Sequence, residues 1–295
     1  MQAAEKRNLE MQQEIRLRDQ LSIGNQFAAK GFFYRPFQSK YAGPSFKRFP
    51  RFTWPLLLFV RNLKVYLAPK RIEGYTGDAI ITRSIMSFLE SDNFKRSYAR
   101  MRIASREVND PGLHFRVHQI LWAVQNCFSL DGDFVECGSG RGMMMSAALE
   151  SLEEWNSSQK KLFLCDTFEP FGINPLTGQN DSRFGKRDTY AYSIEDVKLN
   201  FEEWKNIYFV IGQIPETLPF VDTKKIAFLH IDLNHPAAEV DALRFFWPQL
   251  LIGGIVVLDD YAQDQSQNQA MNQLALEIGA SILTTGTGQG IIIKG

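Results

Sequence analysis

The chain has 295 residues, of which 44% are hydrophobic and 22% charged, so it can bury a sizeable core and is excluded from the disordered class. The formal net charge is zero, but residues 1–72 hold 14 Lys/Arg against 4 Asp/Glu, whereas residues 73–295 hold 19 against 29. That split predicts a basic appendage on an acidic body and excludes a uniformly basic chain.

Residues 1–21 read as a mostly polar, charged helix rather than a signal peptide. From Gln20 to Ile72 there are ten Lys/Arg and no acid, with aromatics interleaved as in "KGFFYRPFQSKY" and "FKRFPRFTW". The longest apolar run, Trp54 to Val60, is far short of the roughly 20 residues of a membrane span. Three readings stay open for this arm. It packs on the body or on a partner subunit of a homo-oligomer, it lies on an anionic membrane surface, or it is a nucleic-acid patch. No recognised nucleic-acid module accompanies it, so nucleic acid is not expected as a partner.

Residues 73–130 are expected to form a helical cap. In "GLHFRVHQILWAVQNCFSL" the apolar positions 115, 117, 120, 121, 124 and 128 follow a 3.6-residue period. His114 and His118 lie four apart, but without an HExxH frame or a third ligand they read as helix-surface histidines.

From residue 131 onward, strand-like runs alternate with helix-like ones. The strands are "DFVEC", "KLFLC", "IYFVI", "IAFLHI", "GIVVLD", "ASILTT" and "GIIIK", with helices expected at 142–154, 193–205, 238–250 and 265–279. Continuous apolar strands between helices predict an α/β domain over 131–295, with a mostly parallel seven-stranded sheet. The short link "GTGQG" predicts an antiparallel pair at one edge. Cys127, Cys137 and Cys165 form no CxxC pair and read as reduced core residues, which fits a cytoplasmic setting, peripheral at a membrane if the arm binds lipid.

Ligands bind such sheets at the carboxyl ends of the strands. After the first strand comes "ECGSGRG", where Gly138, Gly140 and Gly142 permit close backbone approach. A dinucleotide turn, G-x-G-x-x-G, would need a third glycine where Met143 stands. Glu136 would repel a pyrophosphate but suits an ammonium group. The turn therefore fits S-adenosylmethionine better than a dinucleotide, and a plain strand-to-helix corner is the alternative. Asp166 ends the second strand, where an acid accepts hydrogen bonds from ribose hydroxyls or caps a helix. Asp232, Asp259 and Asp260 fall at adjacent strand tips. Like charges so close call for a counter-ion, and hard oxygen ligands suit Mg2+, unless Asp259 or Asp260 is a helix cap.

The motifs "DGDFVECGSGRG", "CDTFEPF", "YSIEDVKLNF" and "HIDLNHPAAEVDALRFFWPQLLIGGIVVLDDYA", in this order, resemble the macrocin O-methyltransferase family from about residue 105 to the C-terminus. The resemblance implies a Rossmann-like class I methyltransferase fold and Mg-dependent methylation of sugar hydroxyls by S-adenosylmethionine. It assigns Glu136, Gly138, Ser139, Gly140, Gly142, Asp166, Thr167, Gly212 and Asp232 to the cofactor, and Asp232, Asp259 and Asp260 to the metal. Asp232 is the implied general base.

Two positions depart from the family pattern, Asn234 where a second acid is usual and Pro170 where a glycine is usual. His235 stands three residues after Asp232, the spacing of the basic residue in similar catechol methyltransferases. Because imidazole titrates near neutral pH, His235 is a second candidate base, with a structural role as its alternative. The expected acceptor is a hydroxyl on a small molecule or glycan. The competing functions are a catechol-type phenol methyltransferase and a non-catalytic scaffold on the same fold.

Overall fold

The computed structural model describes residues 75–295 apart from 79, 83, 108, 169–192 and 264. The basic arm at 20–72, the helix expected over 1–21, and Pro170 lie outside the described residues.

The described chain opens on a hairpin, β1 (Tyr75–Gly77) and β2 (Ile80–Thr82), paired antiparallel. This corrects the expectation of a helical cap from residue 73. The link turns at Asp78, whose φ is +52°, and Ile80, Ile81 and Thr82 are β-branched and favour strand. Two helices follow, α1 (Asp92–Ser105) and α2 (His114–Cys127). Ser91 caps α1 by accepting from Phe94 N–H, and α2 buries Val117, Ile120, Leu121 and Val124 along the expected stripe. His114 and His118 are not surface residues. They stack on Tyr98 and Phe88 at 4.2 and 4.1 Å between ring centroids. Burial lowers the pKa of both, so they serve as neutral packing rings.

The core alternates β3 (Asp133–Cys137), α3 (Met143–Glu150), β4 (Leu162–Asp166), α4 (Ile194–Leu199), β5 (Ile207–Ile211), β6 (Ile226–Ile231), α5 (Pro236–Phe246), β7 (Leu250–Leu258) and α6 (Gln265–Ile278), then β8 (Leu283–Thr284) and β9 (Gly290–Ile293). The sheet order is β5-β4-β3-β6-β7-β9-β8. The first five strands in that order run parallel, and β9 pairs antiparallel with both β7 and β8, as the short link implied. The helices are shorter than the apolar pattern suggested. α3 ends at Glu150, and α4 ends at Leu199.

Side chains alternate between the two faces of each strand. Phe134, Leu164, Phe228 and Val257 join α1, α2 and α3 in one core, while Val135, Cys165, Leu229 and Val256 join α5 and α6 in the other. The three cysteines are buried and free. Among the described residues, no helix is long and apolar enough to cross a membrane.

Candidate functional site

The two central strands, β3 and β6, lie side by side with Glu136 in register with His230. Both residues continue the rows begun by Phe134 and Phe228, so they point to the α1–α3 face, near the carboxyl tips. His230 Nδ1 lies 2.9 Å from Glu136 Oε1, and Nε2 lies 3.9 Å from Asp259 Oδ1. Asp259 Oδ1 accepts from Gln289 Nε2 at 2.6 Å, and its Oδ2 accepts from Arg116 Nη1. Arg116 reaches on to Asp260 Oδ1 at 3.8 Å and Asp78 Oδ1 at 3.6 Å, and its backbone N–H donates to Asp78 Oδ2 at 2.8 Å. Charges thus alternate from Glu136 through His230, Asp259 and Arg116 to Asp78.

This alternation makes the burial tolerable, because a buried charge costs several kcal/mol unless paired. Burial opposes protonation of His230, but its two carboxylate neighbours outweigh that and lift its pKa to about 10. Burial alone would raise Asp259, yet His230, Arg116 and Gln289 together hold it below the usual carboxylate range. Burial pushes Glu136 up. Asp232 is raised well above its usual range, by burial and then by the charge of Asp259.

The glycine turn meets Asp232 at the backbone. Asp232 N–H donates to Cys137 O, and Gly138 N–H donates to Cys165 O, both at 2.8 Å. A Cβ at Gly138, where φ is +87°, would stand 1.8 Å from Asp232 O. Gly138 therefore serves close approach of the turn to the β6 tip. Gly142 has a different task. It begins α3, and a Cβ there would strike the Phe201 ring at 2.3 Å, so it is a packing position.

Asp166 clamps the turn from the other side. Its Oδ2 accepts from Gly140 N–H and its Oδ1 from Phe168 N–H, each at 2.8 Å, and Thr167 Oγ1 lies 3.5 Å from Oδ1. Gly212 N–H donates to Asp166 O at 2.9 Å, which brings the β5 tip alongside. Below the turn, Glu136 Oε2 and Ser139 Oγ are buried and neither meets a partner at full hydrogen-bond geometry, although the Ser139 side chain is near enough to Glu136 to oppose the rise in its pKa. Buried polar atoms left unpaired are costly, so these two fit a ligand that brings donors, as an amino-acid ammonium does.

The β6–α5 turn carries Asp232, Asn234 and His235. Asn234 Nδ2 donates to Asp232 Oδ1 at 3.3 Å. His235 is exposed and caps α5, its Nδ1 accepting from Ala238 N–H at 3.4 Å. Glu239, buried on α5, accepts from Leu233 and Asn234 backbone N–H and from Gln267 Nε2 at 2.8 Å, which fixes the turn.

Asp232, Asp259 and Asp260 offer the hard oxygen donors that suit a divalent cation. Among the described residues, however, no three His, Cys, Asp or Glu are drawn together to hold one. Asp259 gives both oxygens to Arg116 and Gln289 instead. The donor chemistry fits a divalent cation, and Arg116 stands at the same acids.

The sequence reading missed His230, Arg116, Gln289 and Glu239. Only His230 left a local signal, an ionisable ring inside the apolar run "IAFLHI".

The profile of the macrocin-O-methyltransferase (TylF) family matches residues 115–279, more than half of the chain. The chain is 28% identical over 141 residues to 8-demethyl-8-(2,3-dimethoxy-alpha-L-rhamnosyl)-tetracenomycin-C 4'-O-methyltransferase of Streptomyces olivaceus, covering 45% of this chain and 54% of that protein. It is 24% identical over 142 residues to mycinamicin III 3''-O-methyltransferase of Micromonospora griseorubida, covering 44% and 55%. It thus spans about half the length of the curated relatives it matches. Among solved structures, the O-methyltransferase NovP superposes with a TM-score of 0.54 at 21% identity over 68% of this chain and 88% of that one, a likeness of fold. With the family profile spanning the glycine turn, the strand-tip acids and the helices between them, the chain belongs to the macrocin O-methyltransferase family.

Proposed function

We propose that this chain methylates a sugar hydroxyl, in a glycan, glycolipid or secondary metabolite, with S-adenosylmethionine as methyl donor. The observation that carries the reading is the junction of Gly138 and Asp232, where the cofactor turn leaves no room for a Cβ against the strand tip that bears the acid. The relatives support the acceptor class, since one is named for O-methylation of a rhamnosyl tetracenomycin.

S-adenosylmethionine supplies a methyl group on a sulfonium, an activated electrophile. Glu136 Oε2 and Ser139 Oγ would receive the amino-acid end, and Asp166, already holding Gly140, would accept from the ribose hydroxyls. Asp232 would take the proton of the acceptor hydroxyl, and the sulfonium, when bound, would supply the methyl group and leave as the neutral thioether. Burial and the neighbouring acids raise the pKa of Asp232, which makes its carboxylate a stronger base. His235 is the weaker candidate, because its Nδ1 caps α5. Asp232, Asp259 and Asp260 are the residues that would hold Mg2+, which lowers the pKa of a bound hydroxyl.

The reading includes contact of the basic residues 20–72 with an anionic membrane, where each cation is worth about 1 kcal/mol. Cosedimentation with anionic but not neutral vesicles, lost on truncation near Glu73, tests that part. The activity is tested by incubating the purified chain with methyl-labelled cofactor and a panel of deoxysugar glycosides and catechols. Label on the sugar supports the proposal, label on catechol favours the phenol reading, and no label on any acceptor favours a scaffold.

A further inference from the structure

We infer that Arg116 is the resident counter-cation of the strand-tip acids, that a divalent cation competes with it for Asp259, and that Asp78 is the acid that receives it. This deepens the magnesium part of the proposed function and rests on it.

Arg116 comes from the first turn of α2, in the cap and outside the cofactor core. Its Nη1 donates to Asp259 Oδ2 and lies 3.8 Å from Asp260 Oδ1. Oδ1 of Asp259 already accepts from Gln289. Each Asp259 oxygen therefore already has a partner, and Arg116 brings a positive charge to the oxygen that a divalent cation would take. A guanidinium cannot shed its proton near neutral pH, so it cannot share the acids with a metal by going neutral. The two cations oppose one another by charge.

The opposite side of Arg116 offers a place to go. Its Nε is 3.6 Å from Asp78 Oδ1, an atom that is buried with no hydrogen-bond partner. The Asp78 side chain is 1% exposed. Its other oxygen already accepts from Arg116 N–H at 2.8 Å, so the β1–β2 turn and the start of α2 are fixed to each other. A small rotation of the guanidinium would complete the pair with Asp78 and free Asp259 Oδ2. The orphaned Asp78 oxygen and the acid cluster are thus two docking places for one cation, with opposite consequences for the metal.

Titration of Mn2+ into the cofactor-free full chain, followed by the electron paramagnetic resonance of free Mn2+, tests this. R116Q removes the competitor and should bind Mn2+ on the order of tenfold more tightly, about 1.4 kcal/mol. D78N keeps an acceptor for Arg116 N–H but removes the receiving charge, and should bind more weakly than the unaltered chain by roughly threefold or more. The double variant should behave like R116Q. A role confined to packing would weaken binding in both single variants. R116Q binding no tighter than the unaltered chain overturns the inference, as does D78N binding as tightly or more so. Equal Mn2+ binding in all variants with chelator-sensitive turnover rejects the role of Arg116 and leaves the magnesium reading standing. No Mn2+ binding in any variant, with turnover in chelator, rejects both.

Discussion

His230 and Glu136 face each other at 2.9 Å across adjacent parallel strands, both buried, with Asp259 on the other side of the ring. The pair ties the strand below the glycine turn to the strand that carries Asp232. Removing the ring would strand two carboxylates, so H230N should cost about 3–5 kcal/mol at neutral pH. The folded pKa of about 10 exceeds the ordinary 6.5. The stabilisation is therefore complete below 6.5 and lost as pH rises through about 10. Urea unfolding across that window should show the loss in the unaltered chain and its absence in H230N.

Gly138 should tolerate no side chain. G138A places a methyl into Asp232 O and holds a residue with a Cβ at φ +87°. The strain term alone is about 1 kcal/mol, and the backbone clash adds to it. Denaturation should register a loss of several kcal/mol, and calorimetry a loss of S-adenosylmethionine affinity in whatever folds. G142A should destabilise through Phe201 instead, with the junction at Asp232 left in place.

D166A should weaken S-adenosylmethionine binding by about 1.5–3 kcal/mol, the worth of a hydrogen bond to a charged group. It also releases Gly140 N–H from its clamp. Isothermal calorimetry on folded protein checks this, and unchanged affinity would remove Asp166 from the cofactor site.

Glu239 gives the opposite pH signature to a salt-bridged acid. Burial lifts its pKa to about 7 from 4.5, so the folded state holds the proton more tightly than the unfolded one. Its contribution is full below 4.5 and is lost as pH rises through about 7. E239Q should remove that loss and stabilise the protein at alkaline pH by up to about 3 kcal/mol. A denaturant midpoint for E239Q that falls in parallel with the unaltered chain would contradict this.

The strands were legible because parallel strands buried on both faces read as unbroken apolar runs, and "IAFLHI" is buried from end to end. The glycine turn was legible because Glu136, Gly138 and Asp166 sit at strand tips, where sequence order fixes position. The hairpin at 75–82 was not, since strands of three residues are too short to show a period. Arg116 was hidden for another reason. It lies 143 residues from Asp259, and nothing in the local pattern of α2 distinguishes it from other cations. Gln289 is likewise brought to Asp259 only by the antiparallel return of β9 beside β7.

The central claim is methyl transfer by Asp232 at the junction of turn and strand tip. The most direct measurement is single-turnover transfer of labelled methyl to a deoxysugar glycoside by the unaltered chain and by D232N, with cofactor affinity measured on both. Proton abstraction by a positioned base contributes about 10²–10⁴-fold, so D232N with cofactor bound at saturation should lose at least that much rate. D232N transferring methyl at the unaltered rate, with the cofactor bound, would contradict the account.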